Sequence, residues 1–148
     1  MSDPAKVLVV ANRTAATPGL VDAVRERARR GPATFHLVVP ASVHGLARLA
    51  DPEDDTRGRE EAQEALDAAL PKLSEAASSP VTGAVGVPEP LAAIEDAVNL
   101  GRPDEIIIST LPARVSRWLR LDLVSKARGL GLPVTHVEAE HAGDEAHA

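Results

Sequence analysis

The chain has 148 residues, enough for one domain that buries about two-thirds of its unfolded surface without disulfides. It contains no cysteine, which excludes disulfides and thiolate metal sites and is compatible with a reducing cytoplasm. A net charge of −6 and 1% aromatic residues argue against general nucleic-acid binding. No secretory signal begins the chain, and no apolar run approaches the roughly 18 residues of a membrane span. We therefore expect a soluble cytoplasmic protein that contacts neither nucleic acid nor membrane.

Buried-type strands and helical stretches alternate along the first half of the chain. Residues 6–12 form a continuous apolar run that predicts a strand covered on both faces. A helix is predicted from Thr17-Pro18, since threonine suits an N-cap and proline suits the first helical position, to about Gly31. A second strand over 34–40 is followed by a polar connection that includes the acidic run 51–55.

The second half continues the alternation. A helix from about Arg59 should kink or restart at Pro71, and residues 81–87 predict a glycine-weakened third strand. Pro88-Glu89-Pro90 opens a third helix that stops at 101–103, before a fourth strand at 105–109. The fourth helix should start near Asp122 as N-cap and end at 129–131. The fifth strand runs from Pro133 to Val137, ahead of a flexible acidic tail at 138–148.

Five buried strands and four helices predict one α/β domain over residues 1–137, with right-handed crossovers and a doubly wound parallel sheet. Ligands of such sheets bind beyond the carboxyl ends of the strands, where the winding direction reverses. In this chain that edge is formed by the loops after Val10, Val39, Val87 and Ile108.

Several common chemistries lack their residues. The chain has no P-loop motif, and residues 11–16 contain no glycine, which excludes a Rossmann fingerprint. A phosphoacceptor domain needs acidic residues after the first and third strands, where 11–12 and 86–87 are neutral. No serine has a nucleophile-elbow context, and no histidine pair has the spacing that zinc sites favour. We therefore predict neither catalysis nor a metal site, and interpret His36 and His136 as hydrogen-bonded or edge residues of strands.

The order of elements, the turn at 85–94 (Val-Gly-Val-Pro-Glu-Pro-Leu-Ala-Ala-Ile) and the strand-loop-helix from Ile106 to Val137 resemble the universal stress protein family. The resemblance covers nearly the whole chain. It implies an adenine nucleotide alpha hydrolase-like sheet of order 3-2-1-4-5 with helices on both faces. It also implies a homodimer through the last strand, Pro133 to Val137, and a regulatory or stress-response role exerted through dimerisation and protein contacts.

Many members of that family bind ATP through an acidic residue after the first strand and a loop after the fourth. The loop pattern is glycine, two residues, glycine, nine residues, glycine, then serine or threonine. Here Asn12 replaces the acidic residue, and the loop positions are Ser109, Pro112, Asp122 and Leu123, none of which matches. Pro112 lacks an N–H, a carboxylate at Asp122 would repel phosphate from the helix N-terminus, and Leu123 has no hydroxyl. The resemblance is therefore to a branch without the nucleotide motif, and no cofactor is expected.

One alternative stays open at this edge. Arg114, Arg117 and Arg120 are spaced three apart, so on a helix they could bind an anion through side-chain forks, although a solvated arginine face explains them as well. Trp118, between them, should fill its own cleft or contact a partner. A modified cleft could then hold ATP, AMP or a small anion and could hydrolyse the nucleotide slowly. Its candidate residues are Asn12, Arg13, Ser109, Thr110, Arg114 and Arg117.

Overall fold

The computed structural model describes residues 4–12, 15–41, 52–111, 117–120 and 122–138, with the backbone alone for 52–56, 117 and 120. The strands are β1 (Ala5–Val10), β2 (Ala33–Pro40), β3 (Thr82–Gly86), β4 (Glu105–Thr110) and β5 (Val134–Glu138). The helices are α1 (Pro18–Arg29), α2 (Pro52–Ala77), α3 (Pro90–Gly101), α4 (Arg117–Arg120) and α5 (Leu123–Arg128). None of the helices in these ranges is long and apolar enough to cross a membrane.

The five strands form one parallel sheet of order β3-β2-β1-β4-β5, which confirms the predicted topology. β2 and β3 extend the sheet to one side of β1, whereas β4 and β5 extend it to the other. Val10 is in register with Val38 of β2 and with Ile108 of β4. The winding therefore reverses between β1 and β4, and their carboxyl ends finish side by side.

Helices cover both faces of the sheet, which explains the uninterrupted apolar runs of the central strands. Alternate residues of each strand point to opposite faces. The face under α1 and α2 joins Val7, Val9, Leu37 and Ile107 to Leu20, Val24, Leu66 and Leu73. The face under α3 and α5 joins Leu8, Val10, Ile106 and Ile108 to Ile94, Trp118, Leu123 and Val124.

Helix α2 starts earlier than predicted and does not restart at Pro71, whereas the alternative of a kink there stays a prediction. It begins at Pro52, seven residues before Arg59, and it continues through Pro71 without a restart. A proline at the first helical position followed by acidic residues suits a helix N-terminus, so the run expected as a connection enters the helix. Leu66, Ala69 and Leu73 are buried on both sides of Pro71, and this packing holds the helix against the sheet.

Helix α3 starts and stops where the sequence predicts. The Glu89 carboxylate caps it by accepting a hydrogen bond from Ala92 N at 2.7 Å, and Pro90 takes the first position. Gly86, before the turn, has no side chain because an added Cβ would lie 3.0 Å from the Ala93 Cβ. The helix closes on Arg102, whose left-handed backbone (φ 47°, ψ 59°) takes a conformation that usually selects glycine.

Among the described residues between β4 and β5 there are two helices, α4 and α5, where one was predicted from Asp122. Strand β5 ends at Glu138, one residue later than predicted, and Ile106 is in register with Val134. The tail predicted at 138–148 therefore begins inside a strand, and its residues from 139 onward lie outside the described ranges.

Asp104 and an Arg27–Glu105 ion pair link the amino ends of β1 and β4 to each other and to the last turn of α1. Lys6 N donates to Asp104 Oδ2 at 2.8 Å, and Asp104 N donates to Lys6 O at 2.7 Å. Arg27 of α1 forms a two-pronged ion pair with Glu105 of β4, with Nε–Oε1 at 2.9 Å and Nη2–Oε2 at 3.1 Å. The two side chains are only 12% and 23% exposed, so the pair is partly shielded from solvent.

Candidate functional site

The structure brings three of the six candidate residues to the predicted edge. Asn12 follows β1, and Ser109 and Thr110 end β4, the strand beside it. Arg13 and Arg114 lie outside the described residues, and Arg117 is described only as helical backbone in α4. The carboxyl edge between β1 and β4 therefore remains the candidate site.

Ser109 and Thr110 do not form a shared hydroxyl surface. Their side chains alternate across the sheet, so Thr110 lies on the face of Ile108 and Ser109 on the opposite face. Ser109 is 0% exposed and Thr110 is 1% exposed. Both candidates are therefore buried within the chain and are not offered to a ligand at an open surface.

Thr110 is hydrogen-bonded on two sides. Its Oγ1 lies 2.9 Å from the Leu111 carbonyl oxygen and 2.8 Å from His136 Nε2 on β5.

His36 lies in β2, where its Nδ1 is 2.7 Å from Thr82 Oγ1 of β3 and where burial lowers the pKa of its imidazole. The interpretation of both histidines as hydrogen-bonded strand residues is confirmed.

Three backbone donors at this edge are bonded to the protein's own carbonyl groups. The pairs are Ala11 N to Val38 O (3.2 Å), Ala15 N to Asn12 O (3.2 Å) and Ala41 N to Gly86 O (2.9 Å). A phosphate site built on backbone requires N–H groups that point at the ligand. These three donors are already satisfied, so they are not part of such a site.

The starts of α1 and α3 each lack one backbone donor. Pro18 and Pro90 stand at the first positions of these helices and have no N–H. In α3 the Glu89 carboxylate already accepts from Ala92 N. An anion approaching α3 would therefore meet a negative group that the helix dipole already stabilises.

Asp122 corrects one step of the sequence argument. It precedes α5 as expected, but its backbone is left-handed (φ 59°, ψ 36°) and its exposed carboxylate makes no capping hydrogen bond. A capping side chain needs an extended backbone, which Asp122 does not have. Its carboxylate therefore does not occupy the N-terminus of α5. Glycine adopts a left-handed conformation without strain, and glycine is the residue that the family pattern has at the position of Asp122.

Trp118 is buried in its own chain. It is 7% exposed and belongs to the apolar cluster that includes Ile108 of β4, Ile94 of α3 and Leu123 of α5. This agrees with the expectation that the wide side chain packs inward. The indole of Trp118 therefore packs on the face of the sheet that carries Ile108, near the carboxyl end of β4.

Two features of the edge were missed from sequence. The Glu89 cap has a local signal, an acidic residue just before a proline, which could have revealed it. The Thr110–His136 contact has none, because it depends on the register of β4 with β5. Within the described part of the chain, no group of three histidine, aspartate or glutamate residues lies together as a metal site.

No protein-family model and no curated protein matches the sequence of the chain. Its fold does match solved structures. A universal stress protein from Archaeoglobus fulgidus is 19% identical with a TM-score of 0.62, over 90% of this chain and 93% of that one. A universal stress protein in complex with cAMP is 12% identical with a TM-score of 0.59, over 93% and 100%. A universal stress protein family protein from Arabidopsis thaliana with AMP bound is 17% identical with a TM-score of 0.56, over 96% of this chain and 95% of that one. The chain has the fold of the universal stress proteins.

Proposed function

We propose that this protein is a universal stress-type regulatory protein that acts through self-association and protein contacts, and not through ATP bound in the family's usual mode. The observation that carries the proposal is the burial of the two side chains that end β4. Ser109 and Thr110 are 0% and 1% exposed, and Trp118 packs on the same face as Thr110. A triphosphate would need open donors at the place where these side chains are buried.

The electrostatics of the carboxyl edge support the proposal. Asn12 carries no charge after β1, Glu89 places a carboxylate at the start of α3, and Asp122 is an exposed acid beside α5. The whole chain also carries a net charge of −6. The two carboxylates and the negative net charge disfavour a polyanion at this edge unless the arginines at 114, 117 and 120 compensate.

Strand β5 supplies the surface for self-association. It is the last strand in the order of the described sheet, and Ile106 N donates to Pro133 O at 2.9 Å. Backbone groups alternate in direction along a strand, so those of Val134 and His136 point away from β4. Antiparallel pairing of β5 with its copy across a two-fold axis would satisfy these groups.

Light scattering at tens of micromolar protein tests this self-association. We expect the mass of a dimer for the wild type. Thr135 is exposed on β5, so Thr135→Lys should shift the equilibrium to monomer by bringing like charges together, whereas Thr135→Val should leave the dimer intact. A monomeric wild type, or a dimer unaffected by the lysine, would contradict pairing through β5.

A second candidate function is the binding of a nucleotide or small anion in an altered pose. It is favoured by two structures of the same fold, one in complex with cAMP and one with AMP bound. Asn12, Arg13, Ser109, Thr110, Arg114 and Arg117 would then contact the ligand.

Calorimetric titration with AMP and ATP separates the two candidates. Our proposal predicts no heat of binding at millimolar nucleotide. If heat appears, the double variant Arg114→Ala, Arg117→Ala should weaken binding. The control double variant Arg29→Ala, Arg30→Ala removes the same charge at the C-terminus of α1, away from the carboxyl edge of the sheet. It should leave the affinity unchanged. Equal affinity in the first double variant would refute the arginine site.

A further inference from the structure

The hydroxyl of Thr110 stands between two partners that fix the direction of its hydrogen bonds. Its oxygen lies 2.9 Å from the Leu111 carbonyl oxygen and 2.8 Å from His136 Nε2. A hydroxyl has one proton, and a carbonyl oxygen only accepts. Both contacts are therefore hydrogen bonds only when Thr110 donates to Leu111 and His136 donates its Nε2–H to Thr110.

We infer that His136 is a positioning residue of the carboxyl edge, which in its Nε2-protonated form directs the Thr110 hydroxyl onto the Leu111 carbonyl. Thr110 then has no proton left to donate to a phosphate oxygen. This inference deepens the proposed function, and it rests on that proposal only in taking this edge as the place where a ligand would bind.

The register of the sheet brings the two residues together. Ile108 pairs with His136, and Thr110 lies two residues beyond Ile108 on the same face of β4. The bond thus runs from β5, the outermost strand of the described sheet, to the residue that ends β4. His136 is only partly buried, whereas Thr110 is 1% exposed, so the imidazole reaches the hydroxyl from the more open side.

A different role for this pair is a nucleophile beside its base, because a hydroxyl within hydrogen-bond distance of an imidazole is the arrangement that such chemistry uses. That role requires the Thr110 proton to point at Nε2 and requires a reacting group to reach the hydroxyl. The Leu111 contact and the 1% exposure of Thr110 oppose both requirements. The tautomer of His136 therefore distinguishes positioning from catalysis.

Long-range proton–nitrogen NMR of the full chain at about pH 8, above the reference pKa of free imidazole, reports this tautomer directly. The His136 signal is assigned by its loss in His136→Gln. We expect the proton on Nε2 in the wild type and in Thr110→Ser, which keeps the hydroxyl. In Thr110→Val, which removes it, we expect the Nδ1-protonated form to appear and the Leu111 carbonyl carbon signal to shift. A role in folding alone would lower the stability of Thr110→Val without changing the tautomer.

A wild-type His136 with its proton on Nδ1, or an unchanged tautomer in Thr110→Val, would overturn the inference. AMP titration of the wild type is read separately. Binding of AMP with the expected tautomer would refute the proposed function and leave the positioning role standing. Absence of AMP binding together with a proton on Nδ1 of His136 would refute the positioning role and leave the proposed function standing.

Discussion

The two ends of the parallel sheet hold their strands together by different means. At the amino end, ionic groups link β1, β4 and α1 through the Lys6–Asp104 bonds and the Arg27–Glu105 pair. At the carboxyl end, the last residue of β4 is held by hydrogen bonds of the Thr110 hydroxyl with the His136 imidazole and the Leu111 carbonyl group. At this edge, where doubly wound sheets generally bind ligands, the Thr110 hydroxyl is thus hydrogen-bonded to the chain's own groups.

The largest effect should come from the apolar side of the carboxyl end. Trp118→Ala is expected to lower the free energy of unfolding by about 3 kcal/mol, because it removes a large side chain that is 7% exposed in the core. Trp118→Phe keeps most of the volume and should cost less. Urea unfolding followed by circular dichroism measures both losses.

A loss below about 1 kcal/mol in Trp118→Ala would mean that the indole does not hold this end of the sheet. The wild type offers an independent check, since Trp118 is the only tryptophan and the chain has no tyrosine. Its fluorescence should show the emission of a buried indole. Emission at the wavelength of a fully solvated indole would contradict the burial.

The amino end should show the next largest effect. Glu105→Gln is expected to lower the free energy of unfolding by about 2 kcal/mol, because it leaves a guanidinium that is 12% exposed without its charged partner. Glu26→Gln is the matched control, since the Arg29–Glu26 pair is 70% and 65% exposed. The control should change the stability by less than about 0.5 kcal/mol. Equal losses would show that the Arg27–Glu105 pair is no stronger than a solvated one.

A smaller effect should appear in the pH dependence of the free energy of unfolding, through the partly buried His36 on the inner strand β2. Burial lowers the pKa of this imidazole in the folded state below its usual value near 6.5, so the unfolded chain binds the proton more readily. Stability is therefore fully present above about pH 7.5 and decreases as pH falls through 6.5 toward the lowered pKa. His36→Gln should flatten this decrease in urea midpoints measured between pH 8 and about 5.5. An identical decrease in the variant would assign it to other groups.

The smallest effects should come from two of the three described non-glycine residues with left-handed backbone, Arg102 at the amino end of the sheet and Asp122 at its carboxyl end. Arg102→Gly should raise the free energy of unfolding by up to about 1 kcal/mol, because glycine adopts φ 47° without strain. Asp122→Gly should raise it less, since aspartate tolerates the left-handed region better than arginine does. Thermal unfolding of the two variants gives the order, and a destabilised Arg102→Gly would contradict strain at that residue.

Much of the fold could be predicted from the chain, because each central strand carries an apolar run and α1 and α3 carry proline at their starts. The start of α2 was missed because a run of acidic residues resembles a solvated loop as much as a helix N-terminus. The candidate residues at β4 were placed at the right edge, but their burial depends on tertiary packing. The Thr110–His136 and Arg27–Glu105 contacts join residues 26 and 78 positions apart, and no local pattern indicates either.

The most direct test of a carboxyl edge closed to nucleotide is the content of the protein as purified. The full chain is denatured, and the released small molecules are separated by anion-exchange chromatography and compared with AMP and ATP standards. We predict that no nucleotide is released in proportion to the protein. Release of one adenine nucleotide per chain would contradict the account, because it would mean that the buried side chains at the edge between β1 and β4 do not exclude a nucleotide.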